Sequence, residues 1–219
     1  MMSNLHDSKN TISSGKVKRG KKRIRTHVNP LSILKEHSFD GFGNSKSIFV
    51  DVGAFKGEFM DTLSQRFLEN NYICFEIRTP IAQKLEQKFK GRENFVVFDG
   101  DAGLNFKSIL QPCLSQGAKI EKIFVNFPDP WFKDKHKKRR FICPKFLKKV
   151  ATWLPADIVF VFQTDQKFLF DETLEVLKDS PYKNINFFED SVYDIPTDWE
   201  KVKMAQGDKI YRMEFWRNK

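Results

Sequence analysis

Residues 47–57 read SIFVDVGAFKG. A short apolar run carries one acid, Asp51, and ends at Gly53, with Gly57 four residues further on. A near-continuous apolar run of this length suits a strand buried on both faces. The pattern recurs at YICFEI (72–77), NFVVFD (94–99), KIFVNF (122–127) and DIVFVFQ (157–163). Helical periodicity lies between and after these runs, over 58–69, 80–90, 144–154 and 166–178, and more weakly over 103–111. Strand–helix alternation predicts a parallel sheet covered on both sides. NINFFED (184–190) and IYRMEFW (210–216) then follow with no clear helix between them and are expected to pair antiparallel.

The 219 residues suit one domain with a tail, and 40% apolar content with 23 Phe suffices for a large core. The net charge of +10 is unevenly placed. Residues 1–30 carry +7 and residues 133–149 carry +8, so the remainder carries −5. A mildly acidic body with two basic elements points to a polyanionic partner rather than to one solvated face. Residues 1–22 read as a disordered basic arm and 23–219 as the folded domain. Three distant cysteines and four histidines show no metal-ligand spacing, so no metal is expected. No secretory leader or membrane span is legible, and a reducing, cytoplasmic setting is the expectation.

In an open α/β sheet, ligands bind outside the carboxyl ends of the strands. Read in order, those ends offer Asp51 and Gly53, then Glu76 and Arg78, then Asp99, Asp101 and Ala102, then Asn126 and Asp129, then Thr164 and Asp165. Any one acid reads equally well as a helix cap or turn residue, and Asp101 and Asp165 fit that reading. Acids at successive strand ends are harder to attribute to folding alone. DVGAFKG is not the GxGxxG of a dinucleotide site. Carboxylates suit a ligand with hydroxyls, amines and positive charge, as S-adenosylmethionine has. Glu76 stands where a mononucleotide fold places its ribose-binding acid.

One segment carries more. NFPDPWFKDKHKKRR (126–140) resembles the signature of the tRNA (guanine-N7)-methyltransferases, which modify guanosine-46 of the tRNA variable loop. VDVG with Gly57, FEIR, GDA, the TD after the fifth strand and Thr197-Asp198-Trp199-Glu200 agree in order and spacing, as does the approach R-x-R-x-H-V-N-P-L-S (23–32). The resemblance implies a Rossmann-like methyltransferase fold: a seven-stranded, mostly parallel sheet with a terminal antiparallel strand and helices on both faces. It implies a pocket for S-adenosylmethionine lined by Asp51, Gly53, Glu76, Arg78, Asp101, Ala102, Asn126 and Asp129, with Asp129 catalytic. Lys133, Asp165, Thr197 and Glu200 would meet the substrate nucleotide, and tRNA would be the partner. The run Lys135, Lys137, Lys138, Arg139 and Arg140 is read as a patch for RNA phosphates.

The family usually has G-x-G-x-G after the first acid, and here Phe55 replaces the middle glycine. Glycine there permits positive φ, so Phe55 must avoid that backbone or strain the loop. Pro128 and Pro130 are expected to hold Phe127 and Asp129 extended, and Trp131 to pack over its own loop. A non-catalytic tRNA-binding subunit of the same fold, or a methyltransferase for another RNA, stays open as an alternative. The sequence leaves open monomer, homodimer and a partner subunit.

Overall fold

The computed structural model describes residues 28–218; the arm read over 1–22 lies outside them. The apolar runs form strands β1 (Ile48–Val52), β2 (Asn71–Glu76), β3 (Phe95–Asp99), β4 (Ile120–Asn126) and β5 (Val159–Thr164). All five run parallel, and β6 (Asn184–Phe187) and β7 (Tyr211–Trp216) complete a seven-stranded sheet in the order β3-β2-β1-β4-β5-β7-β6. β7 is antiparallel to both β5 and β6.

Two-residue periodicity divides the core between the faces. Ile48, Val50, Ile73, Phe75, Ile123 and Phe160 face α3 (Ala102–Ser115), α4 (Pro144–Ala151) and α5 (Lys167–Lys178). Phe49, Tyr72, Cys74 and Phe124 face α1 (Glu58–Arg66) and α2 (Thr79–Lys88). That second layer is largely aromatic: Tyr72 stacks on Phe95 at 4.7 Å, and Phe89 on Phe95 at 4.0 Å between centroids. In α4, Phe146, Leu147 and Val150 are buried while Lys145, Lys148 and Lys149 are exposed, as the periodicity requires.

The expectation of no helix between the last two strands is corrected: α6 spans Asp198–Ala205. It lacks the usual apolar stripe, because Trp199, Val202 and Met204 are exposed and its one buried residue is Glu200. Thr197 caps it, accepting from the Glu200 N–H, while the Glu200 carboxylate accepts from the Thr197 N–H at 3.1 Å. This reciprocal box is the sequence signal for the helix. The same carboxylate accepts from Arg212 Nη2 at 2.6 Å, Ser191 Oγ at 2.6 Å and Gln163 Nε2 at 3.3 Å. One fully buried acid therefore ties α6 to β5, to β7 and to the loop before it.

Among the described residues, no helix is long and apolar enough to cross a membrane, and no group of three or more His, Cys, Asp or Glu could hold a metal. Replacing one member of the Glu200 pair leaves a buried charge unanswered. Arg212→Met should lower stability by about 3–5 kcal/mol in urea unfolding, and adding Glu200→Gln should recover part of the loss. A loss below about 1 kcal/mol for Arg212→Met would show that the ion pair does not hold the helix.

Candidate nucleotide and RNA site

From β1 the chain crosses to β2 on one side, and from β4 to β5 on the other. The crevice between the carboxyl ends of β1 and β4 is thus the switch point of the sheet. On β1, Asp51 is 3% exposed and its Oδ1 has no hydrogen-bond partner. On β4, neither side-chain polar atom of Asn126 has one, and on β5 neither does Gln163 Oε1. Asn126 and Gln163 face each other in the register. Buried polar atoms are normally answered, so unanswered ones on three adjacent strands mark this edge as a candidate ligand site. Burial pushes the Asp51 carboxyl up to about 7, with the charge of Glu76 adding to the rise.

The loop after β1 is bent by glycine. Gly53 has φ +84°, and a Cβ there would meet open space. Gly57 has φ +70°, and a Cβ there would strike Leu85 at 2.5 Å, so the start of α1 needs glycine for conformation and for room. Between them Phe55 takes the strained option: its φ is +49°, and the residue is 41% exposed. Its N–H donates to Glu76 Oε2 at 3.1 Å. Glu76, 1% exposed, also accepts from Arg78 through N, Nε and Nη2 at 2.9, 2.8 and 2.8 Å. Hydrogen bonds to Glu76 hold the Arg78 guanidinium above its ordinary range against burial, and the charges of Glu76 and Asp129 add to the rise.

At β3, Asp101 is the helix cap its sequence allows, accepting from the Leu104 N–H at 2.7 Å, and Ala102 opens α3. Burial raises the Asp101 pKa against that bond. Asp99 is held by Thr79 Oγ1 and Lys35 Nζ, each at 3.0 Å, while His37 Nε2 donates to the Asp99 carbonyl at 2.6 Å. Lys35 and His37, which no pattern marked, strap the approach segment across this edge. At β5, Asp165 is not a cap: Gln166 is, and Asp165 pairs with Lys203 of α6 at 3.2 Å.

The segment after β4 departs from expectation in two ways. Phe127 precedes proline yet has φ +48°, not an extended backbone, and Trp131 has φ +47°. Bulky residues in this region carry strain of order 1–3 kcal/mol each, which the surroundings must impose. Here the Phe127 N–H is fixed to the Gln163 carbonyl at 2.8 Å. Arg140 supplies the second constraint. Expected among the phosphate contacts, it turns inward to Glu172 and to the carbonyls of Pro130 at 2.9 Å and Trp131 at 3.4 Å, with its side chain 8% exposed. The Arg139 guanidinium lies 4.9 Å from the Trp131 ring centroid, and His136 meets that ring edge-on. Lys133, Lys135, Lys137 and Lys138 remain at the surface, although Lys137 is paired with Asp134 and Glu172. Thr197 and Glu200, expected at the nucleotide, are buried in the frame of α6.

A family model described as a putative methyltransferase matches residues 45–213. A protein of Prochlorococcus marinus subsp. pastoris named tRNA (guanine-N(7)-)-methyltransferase is 34% identical, covering 86% of this chain and 97% of that one. A Thermotoga maritima protein of the same name is 29% identical over 78% of this chain, which spans about half of that relative's length (54%). Among solved structures, a precorrin-6y C5,15-methyltransferase from Geobacter metallireducens shares the fold with a TM-score of 0.52 at 10% identity, covering 80% of this chain and 81% of that one.

The raised Asp51 pKa fixes a sign. A carboxyl that is more basic when folded holds extra protons between about pH 4 and pH 7, so its contribution is full below pH 4 and lost as pH climbs to about 7. The stability of the ligand-free protein relative to Asp51→Asn should therefore fall across that window, by on the order of 4 kcal/mol, and level off above it. A difference that stays flat from pH 4 to pH 8 would mean that Asp51 ionises normally.

Proposed function

Given that the chain belongs to the tRNA (guanine-N(7)-)-methyltransferase family, we propose that it transfers the methyl group of S-adenosylmethionine to N7 of guanosine-46 in the tRNA variable loop. The observation that carries the reading is the row of buried, unanswered polar atoms on Asp51 and Asn126 at the switch point, beside the open space over Gly53. A ligand with a ribose diol, an ammonium and an adenine amine supplies donors for Asp51 Oδ1 and Asn126 Oδ1, and its oxygens and ring nitrogens can accept from Asn126 Nδ2. Asp51, Gly53, Glu76, Asp101, Ala102 and Asn126 would hold it, with Arg78 lying against Glu76 at its edge. When bound, S-adenosylmethionine supplies a methyl group activated on a sulfonium.

Guanine N7 is already a lone-pair nucleophile without a proton, so the attack needs no general base. The protein's part is to place the base in line and to answer the positive charge that grows on the purine. Asp129 is suited to both tasks, because Pro128, Pro130 and the Arg140 clamp hold its loop at the end of β4. The exposed lysines of 133–138 neutralise RNA phosphates close by, so docking and chemistry share one segment. Asp165 is the acid nearest in chain order at the next strand end, and Lys203 neutralises it. Contact of Glu200 with the guanine edge would require it to release one of its four donors, so its role is better met by positioning α6.

The rival is a tRNA-binding subunit without turnover, and the saturation of Glu76 is the observation in its favour. Incubation with tRNA and labelled S-adenosylmethionine, followed by chemical cleavage at 7-methylguanosine, separates the two and locates the modified base. Asp129→Asn should fold and bind tRNA normally yet lose roughly 10²–10³ in single-turnover rate; a near-normal rate removes Asp129 from the mechanism. Replacing Lys133, Lys135 and Lys138 with Ala should reduce the salt dependence of tRNA binding by roughly 0.7–0.9 in log–log slope for each phosphate no longer neutralised, with cofactor affinity unchanged. An unaltered slope would place the RNA elsewhere.

A further inference from the structure

Glu76 is the acid that the fold offers to a ribose, but its acceptor capacity is already filled. A carboxylate has about four lone-pair sites. Oε1 receives the Arg78 N–H and Nε, and Oε2 receives the Phe55 N–H and Arg78 Nη2. Two of these donors are backbone groups, fixed where Arg78 caps α2 and where the β1 loop passes Phe55. The other two belong to one guanidinium on a flexible side chain. Two is also the number of acceptor sites that a vicinal diol needs.

The guanidinium already rests beside an aromatic ring while it is bound to Glu76. Its Cζ lies 5.2 Å from the centroid of the Phe55 ring, within cation–π range. Lys56 Nζ lies 5.4 Å from the same ring, so the ring already collects positive charge at the pocket edge. An L-residue holds this ring in place only by accepting a left-handed backbone that glycine would adopt without strain.

We infer that Arg78 is a removable counter-ion whose guanidinium must leave Glu76 before an adenosine can bind, and that the Phe55 ring is the shelf that keeps it within reach. The inference rests on the functional reading above. Arg78 is on this account a positioning residue that sets how often the pocket is open, and Phe55 a feature of this chain that eases the opening.

The test is calorimetric titration of the ligand-free full chain with S-adenosylhomocysteine, which requires no turnover. Arg78→Lys keeps the positive charge beside Glu76 but cannot fill both oxygens, so it should bind roughly 10-fold more tightly than the wild type if the open state is a minor population. Arg78→Met should do the same, at the expense of a lower melting temperature. Phe55→Leu keeps the backbone donor and removes the ring, so it should weaken binding in the wild-type background and have no effect in the Arg78→Met background. Weaker binding in both Arg78 variants, with Arg78→Lys melting normally, would overturn the inference and make Arg78 a direct contact or a clamp that orients Glu76. A wild type that does not bind, beside an Arg78→Lys that does, would uphold the latch and identify the wild type as self-blocked. If no folded variant binds, the inference fails together with the cofactor reading; if the wild type methylates tRNA but the Arg78 variants lose affinity, only the inference fails.

Discussion

The parallel pairing of strands β1 to β5 is the constraint on which this molecule depends. Parallel pairing forces each chain crossing to return over a face of the sheet, so every strand ends on the same edge and every loop that follows begins there. Asp51, Glu76, Asp99, Asn126 and Thr164 lie at the ends of adjacent strands for that reason, although more than a hundred residues separate the first from the last in sequence. The apolar interior of each strand and the polar group at its end are one design. The first fixes the sheet in register, and the second gathers chemistry without a long loop having to be ordered.

That economy explains what was legible in the sequence. Strands β1 to β5 were visible because burial on both faces demands unbroken apolar runs, and their polar ends stand out against those runs. The lysine face of α4 could be read from periodicity for the same reason. Helix α6 was not visible as a helix, because its attachment is polar: a buried Glu200 among four donors leaves no apolar stripe to count. The T-x-x-E pattern that carries its capping box is plain in the chain, but it reads there as a substrate signature and not as a helix start. Arg140 was indistinguishable from Arg139 in sequence, since which of two adjacent cations turns inward depends on where Glu172 of α5 lies. The strap of Lys35 and His37 had no signal at all, because its contacts are with residues more than sixty positions away.

Backbone strain gathers at the same edge. Phe55, Phe127 and Trp131 hold left-handed conformations on the two loops that flank the switch point, and Tyr193 and Asp194 do so just before α6. Proline chemistry alone argues for an extended Phe127, and a local rule was overridden there by the bond from its N–H to β5. Places where local preference and tertiary demand disagree are where function is most often found. In this chain the disagreement falls on both walls of the crevice and on the approach to the helix beside it.

The manner in which α6 is attached has a consequence for cooperativity. Helices α3 to α5 are welded to the sheet by many interdigitated apolar side chains and can leave it only with the rest of the fold. Helix α6 is joined by polar contacts, the Glu200 node and the Asp165–Lys203 ion pair, and its exposed Trp199, Val202 and Met204 contribute nothing to the core. Its opening is therefore a sub-global event that need not disturb β5 or β7, drawn from the low end of the molecule's ladder of local stabilities. The helix beside β5 is in that sense a separate cooperative unit, one that can loosen and reclose while the sheet stays folded.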